Sequence, residues 1–124
     1  MASVNEKAFE YYPHLRKIRD HFGKYYTDPF SLSDAAALVG LEAKHLSKVF
    51  RSTVGVGFRE WRNIVRIEKA IGMISAEYQP LCDVAFAVGF QDLSTFERAF
   101  KKYTNMTPCE FRHRVMNTIK SKIA

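Results

Sequence analysis

Little in this chain can hold a metal or close a covalent loop. It has two cysteines, Cys82 and Cys109, and neither belongs to a C-x-x-C pair, so the commonest zinc-ligand spacing is missing. No disulfide is expected, and Cys82, set inside an apolar helical pattern, is expected to be a small buried hydrophobe. His14 and His21 are seven residues apart and can share a helix face, but no third ligand accompanies them, so no metal site is expected. No apolar stretch approaches the roughly 18 residues of a membrane span. No secretory signal opens the chain, so a cytoplasmic location and no membrane partner are expected. Gly55-Val56-Gly57 lacks the rest of a phosphate loop, and Ser47 and His45 belong to no Asp/His/Ser constellation. The reading is therefore of no enzyme, no catalytic residue and no cofactor. Strand-like alternation longer than a few residues and low-complexity segments are also missing. Acidic residues are in deficit: 13 against 19 Lys and Arg, a net charge of +6. That balance suits a polyanionic partner without naming one. Residues 105–124 carry Arg112, Arg114, Lys120 and Lys122 against Glu110 alone.

What the chain does have is a repeat. Leu32-Ser33-Asp34-Ala35-Ala36-Ala37-Leu38-Val39-Gly40 returns 49 residues later as Leu81-Cys82-Asp83-Val84-Ala85-Phe86-Ala87-Val88-Gly89. The echo resumes at a spacing of 50: Leu46 with Phe96, Phe50 with Phe100, Arg51 with Lys101, Glu60 with Glu110, Trp61 with Phe111, Arg62 with Arg112. Each copy reads as a short helix, a Gly turn and a second helix, which is the helix-turn-helix pattern. Two copies are too few for a solenoid, so a tandem pair is expected.

Local signals place the ends. Pro13 suits a first helical position. Leu15, Ile18, Phe22 and Tyr25 form a helical stripe, and Thr27-Asp28-Pro29 is expected to end it. Ser31 with Asp34 predicts a capping box, and Gly40 a left-handed turn. A helix over about 43–54 follows, stopped by Gly55. A long helix then carries Trp61, Ile64, Ile67, Ile71 and Ile74; about 20 residues at 1.5 Å each span about 30 Å, close to the ~34 Å between successive major-groove faces. Gly72 inside it suggests close packing against a neighbour. Asn105 takes the place of a Gly stop, and Thr107-Pro108-Cys109-Glu110 predicts a capped helix start. The last helix carries Phe111 and Val115, with fraying expected after Asn117. The domain reading is an N-terminal extension 1–12, a first helix-turn-helix subdomain 13–56, a linker helix 57–78, a second subdomain 79–116 and a basic tail 117–124.

The second helix of each copy carries the candidate chemistry. Opposite Leu46, Val49 and Phe50 lie Lys44, Ser47, Lys48 and Arg51, at steps of 3, 1 and 3. Opposite Phe96, Ala99 and Phe100 lie Ser94, Glu97, Arg98 and Lys101, each 50 residues on. Any solvated helix face is polar, but its repetition on the second helix of two Gly-turn units points to reading heads of different chemistry. Lys and Arg donate to guanine, Glu accepts from cytosine, and Leu93 suits a thymine methyl. Residues near the start of such a helix reach base edges, which assigns base reading to Lys44, Ser47, Lys48, Leu93, Ser94, Glu97 and Arg98. Arg51 and Lys101, a turn later, are assigned to phosphates. Phe50, Phe90, Phe96, Phe100 and Trp61 are expected in the core rather than as stacking platforms.

The stretch Val88-Gly89-Phe90-Gln91-Asp92-Leu93-Ser94-Thr95-Phe96-Glu97-Arg98-Ala99-Phe100-Lys101-Lys102, followed by Thr107-Pro108-Cys109-Glu110-Phe111-Arg112, resembles the signature of the AraC/XylS family of bacterial transcription regulators. Arg66-Ile67-Glu68-Lys69-Ala70 is similar to that family's linker-helix motif. Four positions bear on the match to the pattern: Thr95 replaces an aromatic or His, Asn105 a Gly, Glu42 a Ser or Thr cap, and Phe58 stands where many members have Pro or Phe. The resemblance implies an all-α fold of about seven helices in two helix-turn-helix subdomains. It implies binding to double-stranded promoter DNA in two successive major-groove segments. Lys102, Arg62, Thr107 and Arg112 join Arg51 and Lys101 as expected phosphate contacts. RNA polymerase is a further expected partner, the chain is expected to act as a monomer, and its place is the bacterial nucleoid. Only about 12 residues precede the first expected helix, too few for a sensory pocket. The chain therefore reads as a short stand-alone regulator or the C-terminal part of a longer one. The alternative from another class is a helical protein-interaction module without DNA specificity.

Overall fold

A computed structural model describes residues 4–123, with side chains through residue 119. The side chains of Lys120 and Lys122, part of the expected basic tail, lie outside the described residues. Among the described residues every regular element is a helix, and there are eight. They fall into two compact units that divide between Val65 and Arg66.

The first unit holds α1 (Lys7–Tyr11), α2 (Pro13–Lys24), α3 (Leu32–Val39), α4 (Ala43–Val54) and the opening half of α5 (Phe58–Ala76). The helix α1 is a correction to the sequence reading, which left residues 1–12 as an extension. Phe9 is fully buried, with its ring centroid 5.5 Å from Trp61 and 6.1 Å from Phe50. The Asn5 backbone N–H donates to the Val54 carbonyl at 2.9 Å, and its side-chain amide donates to the Thr53 carbonyl at 3.2 Å. Two carbonyls left open at the end of α4 are thereby satisfied. Trp61 is the hub of the core, with Phe22, Phe50 and Phe58 also within 5.9 Å of its ring centroid. Aromatic pairs of this kind contribute roughly 0.5–1.5 kcal/mol each beyond their buried area.

Local chemistry sets most helix ends. Ser31 and Asp34 form the capping box on α3, with reciprocal 3.0 Å bonds. Gly40 at φ 70° and Gly55 at φ 95° close α3 and α4 in the left-handed region. The helix α2 stops earlier than expected. Tyr25 leaves helical geometry at φ −117°, ψ 35°, and the Asp28 N–H bonds its carbonyl in a tight turn. Pro29 follows that stop rather than causing it, and Tyr25 is 43% exposed instead of joining the buried stripe.

The second unit holds the closing half of α5, then α6 (Leu81–Ala87), α7 (Leu93–Thr104) and α8 (Pro108–Ile123). Ile67, Ala70, Val84, Ala85, Val88, Phe96 and Phe100 are fully buried. Phe90, Phe96, Phe100 and Phe111 form a chain of rings at 5.4, 5.7 and 5.6 Å. Asn105 takes φ 64° and ends α7, as its exchange for Gly requires. Thr107 and Glu110 cap α8 reciprocally, at 3.1 and 3.3 Å. The sequence had α8 fraying after Asn117; it continues to Ile123. Cys82 is also corrected. It is exposed, because Val84, Ala85 and Val88 take the inner face of α6 and leave it outside. A Cβ built on Gly72 meets nothing within 4 Å, so no close neighbour explains that glycine.

Candidate nucleic-acid interface

Both stripes form on the outside of their helices. On α4, Leu46 and Phe50 are fully buried, and Lys44, Ser47, Lys48 and Arg51 are exposed. On α7, Phe96 and Phe100 are fully buried, and Ser94, Glu97, Arg98 and Lys101 are exposed. The rotation of 100° per residue that turns the apolar set inward turns the polar set outward. Leu93 at the start of α7 is half-buried, and Lys102 is exposed.

The starts of the two helices differ. Asp92 caps α7: its Oδ1 accepts the Thr95 N–H at 2.7 Å, and its Oδ2 accepts the Thr95 hydroxyl at 3.1 Å. Arg98 Nη2 donates to Thr95 Oγ1 at 3.4 Å. The Thr95 backbone N–H, then its hydroxyl, and more weakly the Arg98 charge hold the Asp92 carboxyl below the ordinary aspartate range. At α4 the cap position belongs to Glu42, whose side chain makes no capping bond. Sequence reasoning missed Asp92 and Thr95 as a working pair, although their cap-to-third-residue spacing was there to be read.

The remaining expected phosphate residues sit at helix junctions. Arg51 reaches the α4–α5 turn, where a Cβ on Gly57 would come within 2.7 Å of its Nη2. Arg62 is half-buried; its Nη1 donates to the Phe30 carbonyl at 2.6 Å, and its guanidinium lies 5.1 Å from the Phe58 ring centroid. Burial, and secondarily the charge of Arg59, lower its pKa from the ordinary arginine value. Arg112 repeats the arrangement, donating to the Gln79 carbonyl with its guanidinium 4.6 Å from the Tyr78 ring centroid. Thr107 accepts the Glu110 N–H as the α8 cap. Arg62, Arg112 and Thr107 therefore each have an intramolecular task. Among the described residues no group of three His, Cys, Asp or Glu is placed to hold a metal, and no helix is long and apolar enough to cross a membrane.

Known proteins resemble this chain in sequence and in fold. The family model described as a helix-turn-helix domain matches residues 35–114. An uncharacterized HTH-type transcriptional regulator of Staphylococcus aureus is 33% identical over 98 residues, covering 79% of this chain and 13% of that protein. The arabinose operon regulatory protein of Salmonella typhimurium is 34% identical over 116 residues, covering 90% of this chain and 41% of that protein. The chain thus spans less than half the length of either relative. Among solved structures, the DNA-binding domain of the global transcriptional factor AdpA, in complex with a target DNA, superposes with a TM-score of 0.74 at 17% identity. That superposition covers 80% of this chain and 89% of that domain, and it establishes likeness of fold.

Proposed function

This chain belongs to the AraC-type helix-turn-helix family of DNA-binding domains, a family of transcription regulators and not of enzymes, and from that premise we propose that it reads promoter DNA in two successive major-groove segments, one through α4 and one through α7. The observation that carries this reading is the pair of exposed, unlike polar stripes on the helices that follow the Gly40 and Gly89 turns. Base edges are assigned to Lys44, Ser47, Lys48, Leu93, Ser94, Glu97 and Arg98. Phosphates are assigned to Arg51, Lys101 and Lys102, with Arg62, Thr107 and Arg112 lending their remaining donors. The net charge of +6 supplies the sequence-independent attraction. Because one chain carries both stripes, it binds as a monomer. RNA polymerase as a partner and residence on the bacterial nucleoid follow from the family resemblance alone.

Selection from a random-sequence duplex pool, followed by footprinting on the winning duplex, tests the proposal. The expected result is a non-palindromic site with two protected segments about one helical turn apart, bound by one chain. Affinity falls steeply with salt. Recovery of no enriched sequence, or of an inverted repeat that needs two chains, would overturn it.

A further inference from the structure

We propose that Thr95 is a positioning residue that aims Arg98 at its base pair. The inference rests on Arg98 as a base reader, as proposed above. The Thr95 hydroxyl has one hydrogen to donate and lone pairs to accept with. Its hydrogen goes to Asp92 Oδ2 at 3.1 Å, and its oxygen accepts from Arg98 Nη2 at 3.4 Å. Asp92 is itself held by the Thr95 N–H at 2.7 Å, so the relay is anchored to the first turn of α7. Positions 95 and 98 are three apart and neighbours on one helix face. The relay draws a long, exposed side chain back toward the helix start, the end that enters a major groove. It occupies one Nη donor and leaves the others for the two acceptors of a guanine edge.

The first unit provides an internal contrast. Fifty residues earlier, Glu42, His45 and Lys48 stand where Asp92, Thr95 and Arg98 stand here. Glu42 makes no capping bond. The long side chain at position 48 therefore lacks the cap-anchored hydroxyl that steadies Arg98. The second segment should consequently show one base pair read with sharper discrimination than any in the first.

The test uses the full chain and the duplex selected from a random pool, with every single-base-pair variant of that duplex. Thr95→Val removes the hydroxyl and keeps the branched shape; Thr95→Ser keeps the hydroxyl. Thr95→Val should flatten preference at one base pair in the second segment by about three- to tenfold, a range set by the ordering cost of one long side chain. Preferences in the first segment and the salt slope should stay as in the parent, and Thr95→Ser should restore the flattened position. In the free protein, nitrogen relaxation at Arg98 Nε should report greater mobility in Thr95→Val than in Thr95→Ser. Thermal melting checks that each variant folds, with Thr95→Ala as a second hydroxyl-free variant. A parent-like profile in a folded hydroxyl-free variant, or a uniform loss across all base pairs, overturns the inference. Arg98→Ala separates the two claims. If it flattens one base pair and Thr95→Val does not, Thr95 alone loses its role. If Arg98→Ala flattens none, base reading by Arg98 fails and the role of Thr95 falls with it.

Discussion

Arg62 Nη1 donates to the carbonyl of Phe30, 32 residues earlier, at 2.6 Å. In the other unit Arg112 donates to the carbonyl of Gln79. Both acceptors lie two residues before the first helix of a helix-turn-helix, and both arginines lie on the helix that follows its second helix. Each lies close to an aromatic ring, Phe58 or Tyr78. The same clasp has been kept in both copies of the repeat. It ties the entry of each helix-turn-helix to its exit, which fixes the frame that carries its second helix.

Removing the clasp should therefore cost stability before it costs sequence discrimination. Arg62→Ala is expected to lower unfolding free energy by roughly 1.5–3 kcal/mol, the range for a hydrogen bond to a charged group. Arg62→Lys should recover only part of this, since an ammonium lacks the planar fork. Urea unfolding measures the loss. A salt slope of DNA binding that falls by about one unit in a folded Arg62→Ala would show that the residue also holds a phosphate.

On α7 the roles proposed for Arg98 and Lys101 lead to different expectations. Arg98→Ala should cost roughly 1–3 kcal/mol on the preferred duplex and relax preference at one or two base pairs. Lys101→Ala should weaken every duplex about equally and reduce the salt slope. Titrations against preferred and scrambled duplexes at two salt concentrations decide it; identical losses of specificity would abolish the distinction.

The caps make stability depend on acid. The Ser31 backbone N–H and hydroxyl hold the Asp34 carboxyl below its ordinary value of 3.8, as the Thr95 N–H and hydroxyl do for Asp92. A carboxyl whose folded pKa is depressed stabilises the fold fully above its unfolded value and loses that contribution as pH falls through the folded value. The stability difference between the parent and Asp34→Asn should thus be widest near neutral pH and shrink below about pH 4. Urea midpoints from about pH 2.5 to about pH 7 check the sign; a gap that widens in acid would contradict it.

Glycine substitutions should split by backbone geometry. Gly72 lies in α5 with open space around its missing Cβ, so Gly72→Ala should stabilise by up to ~1 kcal/mol. Gly40 also has room but sits at φ +70°, so Gly40→Ala should destabilise by roughly 1–2 kcal/mol. Thermal melting of the pair reads the opposite signs directly.

Phe9 tests whether α1 is part of the first unit. Truncation of a fully buried phenylalanine beside Trp61 should cost about 3–5 kcal/mol. Phe9→Ala unfolding near the parent's urea midpoint would mean that α1 is a loose appendage after all.

Helix ends and the two exposed polar stripes were legible in the residues alone. The Ser31–Asp34 box, the Thr107–Glu110 cap, the turns at Gly40 and Gly55 and the left-handed Asn105 all depend on groups within a few positions of each other. So does the stripe at 44, 47, 48 and 51, because helical rotation alone sets which side chains share a face. The tertiary structure decided what depends on distant partners. Burial of Phe9 requires Phe50 and Trp61, and the exposure of Cys82 follows from which face of α6 its unit covers. Arg62 and Arg112 read as surface cations until Phe30 and Gln79 present their carbonyls. Local bonds are written into neighbouring residues, whereas burial and long-range hydrogen bonds exist only once the chain has brought its distant parts together.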